Sequence, residues 1–364
     1  MADESYGSVG TPRIYVDYVQ YAKAIGMVDF FYYNDTELEC SNPEGLWDFN
    51  PSNEVRFTIT TVKSEYYFQA HFKDNIQFKN LVSTTNYGAL LGHNVGSLGA
   101  DRYVESRIRG GYSSHTSILG SDGKLRRQVG TNIWKINQFQ GSFGDMFAHY
   151  DELGFKIMDG TAENTFNVGD VFNFNAYSIG RYFDLPHSAN LSLNQTISYD
   201  GVQTKRTIGG SDLTQVNYLR PKFGDYTPFQ NIDLLGSTDY QQVINDNDFS
   251  TAGFQGRRSW DLSFSYISKE DMFPRSYSNN TAGYYDYDDT QEFDDGGNST
   301  GLYTDNVVNN WLNLTLGGQI PFIFQPDKDK PTDFAIVKMD KNSLQITQQA
   351  PMLYQFKVKL VEQF

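Results

Sequence analysis

Residues 180–210 read GRYFDLPHSANLSLNQTISYDGVQTKRTIGG, and Asp200-Gly201 divides two runs in which apolar and polar residues alternate. Asp-Gly is a strong local signal for a two-residue turn. Both central positions need a positive φ that these residues tolerate, and the turn's twist matches that of the flanking strands. A hairpin closed there pairs Tyr199 with Val202, Ile197 with Thr204, Gln195 with Arg206 and Leu193 with Ile208. The mostly apolar pairs share one face, while Asn194, Thr196, Ser198, Gln203, Lys205 and Thr207 share the other. A slip of one residue would carry the apolar set into water, which specifies the register. The expectation is an antiparallel β-protein.

The rest of the chain points the same way. Aromatic residues are 15% of 364, with 25 Tyr and 27 Phe, and such side chains suit pleated, half-buried surfaces. A chain of this length is expected to hold about two domains. Lys and Arg number 29 against 44 Asp and Glu, a net charge of −15. Polyanion binding needs clustered cations, so neither a nucleic acid nor an acidic membrane surface is the expected partner. No segment approaches the ~18 apolar residues of a membrane span. The N-terminal stretch MADESYGSVGTPRIYV has no basic region followed by an apolar run, and synthesis in a cytoplasm is expected. Cys40, the single cysteine, is read as a small buried side chain or a neutral bystander.

Strands are expected over Arg13–Tyr21, apolar on both faces and hence covered on both sides, and over Glu54–Thr61, with Val55, Phe57 and Ile59 inward. Tyr66–Phe72 and Tyr103–Arg109 follow. The glycines of residues 88–99 (GALLGHNVGSLG) read as bulges or bends, since their spacing fits neither phosphate-binding fingerprint. Residues 136–155 read as loop with a helical turn, and the turn-rich stretch at 150–165 as a domain boundary. In the second half, Trp260, Leu262, Phe264 and Tyr266 alternate with Asp261, Ser263, Ser265 and Ile267. Thr304–Leu314 fits a short helix with Asp305 as cap and Val307, Trp311 and Leu314 on one side, ended by Gly317-Gly318. Ile320–Phe324, Phe334–Met339, Ser343–Ile346 and Tyr354–Val361 read as closing strands, the last with Tyr354, Phe356, Val358 and Leu360 inward.

Catalytic signatures are absent from the sequence. His71, His93, His115, His149 and His187 stand singly, without metal-ligand spacing, and no nucleophile elbow is present. No enzyme activity and no cofactor are expected. The insertion 276–305 is polar and acidic, with Tyr284, Tyr285 and Tyr287 interleaved with Asp286 and further carboxylates. Rings there offer contact area and carboxylates accept hydroxyl hydrogen bonds, so this loop is the candidate for docking a protein partner or a glycan. Its carboxylates leave calcium binding open. A basic island, Lys124, Arg126 and Arg127, is the candidate for contact with an acidic neighbouring subunit.

Several segments resemble structural proteins of tailed-bacteriophage virions. NLVSTTNYGALLGHNVGSLGADRYV, with Leu91, Gly92, His93 and Asn94, is similar to an LGHN segment in phage proteins carrying a galactose-binding-like jelly roll. Tyr182, Phe183, Asp184, Pro186 and His187, then WDLSFSYISKEDMF, GGQIPFIFQPDKDKPTDFAIVKMD and LYQFKVKLVEQF, resemble a marine-phage virion family. The resemblance implies a jelly-roll-like β-sandwich over 1–160 and a second β-sandwich or barrel with one short helix over 161–364. It also implies a ring-forming tail or baseplate component in the virion that contacts other virion proteins and copies of itself. Glycan binding or host recognition is the alternative it leaves. It carries over no catalytic residue, and Gln325-Pro326-Asp327 reads as an architectural turn.

Overall fold

The computed structural model describes residues 10–51, 53–75, 78, 81–82, 84–95, 98, 102–108, 111–119, 130–140, 152–159, 166–190, 194–198, 202–216, 257–274, 306–330 and 333–363. Its first strands are β1 (Arg13–Asp17), β2 (Val28–Tyr33), β3 (Leu38–Glu39), β4 (Val55–Ile59), β5 (Glu65–Phe72), β6 (Tyr87–His93) and β7 (Arg102–Ile108). There follow β8 (Gly111–Leu119), β9 (Gly130–Gln140), β10 (Glu152–Asp159), β11 (Val171–Phe174), β12 (Ala176–Asp184), β13 (Asn194–Ser198), β14 (Val202–Arg206) and β15 (Asp212–Val216). The last are β16 (Arg257–Ser268), β17 (Phe322–Gln325), β18 (Ala335–Met339), β19 (Gln345–Ala350) and β20 (Leu353–Glu362). Helix is confined to short pieces, among them α1 (Tyr18–Ala24), α2 (Lys269–Met272) and a π-helical turn at Val308–Asn313.

One antiparallel sheet of 15 strands runs β13-β16-β20-β18-β17-β1-β12-β6-β9-β8-β7-β10-β5-β2, with β19 beside part of β20. A three-stranded sheet, β11-β4-β3, packs on one part of it. Phe57 of β4 meets Phe68 of β5 at 4.9 Å, and Phe174 of β11 meets Phe155 of β10 at 5.8 Å, both edge-on. This is the expected mainly-β, sandwich-class architecture, with the aromatic excess filling the space between sheets. The barrel held open for residues 161–364 does not form; β13, β16, β20, β18 and β17 continue the same open sheet. β1 bonds to β12 on one side and to β17 on the other, so a strand from the first part of the chain lies between two from the second. Its side chains divide as expected for a strand covered twice: Ile14 and Val16 enter one core cluster and Tyr15 the other.

The Asp200-Gly201 hairpin is corrected. β13 pairs with β16, setting Ile197 opposite Arg258 and Gln195 opposite Trp260. β14 pairs instead with β15, setting Thr204 opposite Thr214. Asp200 and Gly201 themselves lie outside the described residues. Each strand finds its partner across the edge opposite to the one the expected hairpin would use, and each pairing has local support. Thr207–Ser211 is also a good turn: Gly210 takes φ 84°, the Thr207 N–H donates to Ser211 O at 2.8 Å, and Thr207 Oγ1 accepts from Ser211 N at 3.0 Å. β16 meanwhile offers β13 an edge anchored in the core through Trp260, Leu262 and Phe264.

Smaller departures have equally local causes. The Arg13–Tyr21 run breaks because Asp17 Oδ1 accepts from Val19 N (2.7 Å) and Gln20 N (3.0 Å), starting α1. Residues 136–140 and 152–155 are strand, not loop; register shifts between β8 and β9 interrupt the period that would have marked the first. Tyr266 leaves the inward row because a bulge between Phe264 and Ile267 turns it to φ 64° and 72% exposure, and Ile267 is buried in its place. The helix near 304–314 forms as a π-helical turn with Trp311 buried, and Asn306 Oδ1 accepts from Asn309 N at 2.9 Å. Asp305, the expected cap, lies outside the described residues.

Candidate functional site

The core-facing residues of β5, Tyr66, Phe68, Ala70 and Phe72, leave Glu65, Tyr67, Gln69 and His71 on its other face. The antiparallel register with β10 and β7 turns that face into rows. In one row Lys156 stands opposite Glu105, which it bridges at 2.8 Å, and it reaches diagonally to Glu65 at 3.6 Å. In the next, Gly154 has no side chain, and Arg107 reaches across it to the Gln69 amide, whose oxygen, when the amide is turned to face the guanidinium, accepts from Nε at 3.1 Å and Nη1 at 3.0 Å. The same guanidinium lies 4.8 Å from the Tyr67 ring. A third contact joins His71 Nδ1 and Glu152 Oε1 at 3.4 Å. On the edge strand β2, Phe30 stacks on His71 at 4.2 Å and is 49% exposed, with Tyr32 beside it. These carboxylates each face a cationic or imidazole partner, which makes the face a matched network bordered by an exposed aromatic ledge.

The LGHN segment is structural. Gly92, at φ 58°, sits at a register shift between Leu91 and His93, and a Cβ there would meet Asn175 Oδ1 at 2.3 Å. This is the bulge that the glycine pattern predicts. His93 is buried and bonds Asn132 Oδ1 through Nε2 at 2.7 Å; burial pushes its pKa down to about 4. Asn94 donates to Val171 O at 2.8 Å and accepts from Asn173 N at 2.9 Å, clasping the second sheet. The Gln325-Pro326-Asp327 turn is architectural too: Gln325 accepts from the Tyr15 hydroxyl at 2.9 Å and donates to Asp327 O at 3.0 Å.

The remaining surface feature is the β14–β15 ribbon, which forms its own two-stranded sheet. Thr204, Lys205, Arg206 and the residues 208–215 are exposed, Ile208 and Leu213 among them. A two-stranded ribbon is marginal by itself in water, so one that exposes both faces gains from a partner. β13 nearby is exposed at Asn194 through Ile197 and bonds, among the described residues, with β16 alone.

Tyr284, Tyr285, Asp286 and Tyr287 of the acidic loop, and Lys124, Arg126 and Arg127 of the basic island, lie outside the described residues. Lys135, the next basic residue after that island, is exposed on β9. Sequence reading missed the charged rows, whose members come from three strands far apart in the chain. It also missed the ribbon, whose turn was assigned elsewhere. Among the described residues no group of His, Cys, Asp and Glu is arranged to hold a metal ion, and no helix is long and apolar enough to cross a membrane. Fold and surface together define an antiparallel β-protein of the sandwich class whose large sheet ends, among the described residues, at β13 and β2. No family model, no curated protein and no solved structure matches the chain.

Proposed function

We propose that this chain is a non-enzymatic structural subunit of a tailed-bacteriophage virion, a tail or baseplate component assembled from copies of itself and other virion proteins after synthesis in the host cytoplasm. The observation that carries the reading is the exposed β14–β15 ribbon beside a sheet that ends in an uncharged strand. Such edges invite strand addition, and proteins that stay monomeric commonly blunt them with charge, proline or bulges. The other end of the sheet is treated in that way, with Asp29 on β2 and a bulge between Val28 and Phe30. The buried polar contacts of the LGHN and Gln325-Pro326-Asp327 segments support the same reading, because they tie strands together and present no reactive group. Protein analysis and electron microscopy of the phage particles whose genome carries this sequence are expected to find the chain in repeated copies at one level of the tail. Purified particles that lack it would sink the proposal.

A further inference from the structure

Among the described residues, the outward edges of β13 at Gln195 and Ile197 and of β14 at Thr204 and Arg206 match in hydrogen-bonding phase as well as in side chains. Within the ribbon, Thr207 and Ser211 share a backbone bond. Counting back along an antiparallel ladder, alternate pairs exchange bonds, so Thr204 and Thr214 form a pair that does not. Their hydroxyls stand 3.4 Å apart, in keeping with the closer side chains of such a pair. The N–H groups of Val202, Thr204 and Arg206 therefore point away from β15. On the sheet, Arg258 donates its backbone N–H to Glu362 Oε2 at 2.8 Å, toward β20. Its partner on β13, Ile197, thus turns its own N–H away from β16, as does Gln195 two residues earlier.

Outward positions Gln195 and Ile197 on one edge and Arg206 and Thr204 on the other are the same pairs that the sequence registers around Asp200-Gly201. Charge narrows the choice of partner. Lys205 and Arg206 discourage β14 from pairing with another β14, whereas β13 (Asn-Gln-Thr-Ile-Ser) carries no charge to repel them. The two edges are three residues apart in the chain, a tether that gives each a high effective concentration at the other. Even so, they do not pair with each other here.

We propose that β14 of one copy of this chain adds to β13 of a second copy, extending the large sheet across the subunit boundary with Ile197 opposite Thr204 and Gln195 opposite Arg206. This deepens the virion-subunit reading and rests on it only in taking the chain to assemble. A contact between two different edges is heterologous, so repetition closes a ring or runs on as a fibre.

In this register Thr196 and Lys205 become a non-bonded pair with the close side-chain spacing that a disulfide needs. Full-length chains in a Cys40→Ser background, one carrying Thr196→Cys and the other Lys205→Cys, are expected to give mostly mixed disulfide dimers under mild oxidation. A chain carrying both cysteines that closes only within itself overturns the proposal and leaves the virion reading to the particle experiment. So does homodimer formation by Thr196→Cys alone, the mark of β13 pairing with β13. Amide exchange on the unmodified chain is the second readout: protection at Ile197 and Thr204 is expected to rise with protein concentration. Exchange independent of concentration at both sites contradicts the proposal.

Discussion

Asp17 stands where β1 gives way to α1, completely buried, with one carboxylate oxygen capping the helix and the other, Oδ2, without a hydrogen-bond partner. Burial raises its pKa from 3.8 to about 6, against the easing effect of the Gln20 and Val19 amides and of nearby Ser178, whose hydroxyl is engaged by Tyr87. Its folded-state pKa is above the unfolded value, so its contribution is fully present below pH ~3.8 and is lost as pH rises through about 6. His93 works in the opposite sense. With its pKa lowered from 6.5 to about 4, stability is full above pH ~6.5 and declines as pH falls toward 4. Each span corresponds to about 3 kcal/mol, so between pH ~4 and ~6 the two slopes largely cancel. Urea unfolding of Asp17→Asn is expected to show a gain of up to about 3 kcal/mol above pH ~6.5 and, relative to the parent, a steeper loss on acidification. His93→Gln is expected to tilt the other way. Variants whose pH profiles run parallel to that of the parent would contradict both assignments. Neither role was legible in the sequence: Asp17 lies inside an alternating run that reads as strand to Tyr21, and a lone histidine says nothing of its burial. The inward rows of β4 and β20 were legible, because period-two alternation needs no tertiary information.

At the scale of elements, strands separated widely in the chain are joined by a few side chains. Arg258 of β16 binds Glu362 at the end of β20 through Nε and Nη2, each at 3.2 Å, and reaches Asp333 at 3.1 Å and Phe334 O at 2.9 Å beside the start of β18. Glu362 is almost wholly buried, and the planar guanidinium meets its carboxylate twice. Arg258→Lys keeps the charge and loses the fork; thermal or urea unfolding should register a loss of about 2–3 kcal/mol. Arg56→Lys, at an exposed ion pair with Glu54, serves as the control and should change stability by less than about 0.5 kcal/mol. Equal effects of the two would show that the Arg258 clasp contributes nothing particular. Strand existence was largely readable from the sequence, whereas strand partners were not. The Asp200-Gly201 signal is local and sound as turn chemistry, but β14 pairs with β15 across a second turn and β13 pairs with β16 beside the buried Trp260. The bulge at Tyr266 likewise arises from pairing with β20, and no residue type announces it.

For the whole molecule, the order of strands brings the first strand of the chain to the middle of a sheet that ends at β2 on one side and β13 on the other. Hydrophobic alternation specifies which face of a strand is buried and says little about which strand lies beside it, so an order this non-local could not be read in advance. The same order leaves the ribbon and the β13 edge on the surface, where we propose that they join subunits. Light scattering of the full-length chain over a range of concentrations tests it most directly, with Thr204→Pro as the comparison. Proline at this position removes an N–H that points away from β15, so the ribbon's own ladder is spared while the free edge is blocked. The unmodified chain is expected to associate into integer multiples of its own mass as concentration rises, and Thr204→Pro to stay monomeric over the same range. An unmodified chain that remains a monomer throughout, or a proline variant that associates equally well, would contradict it.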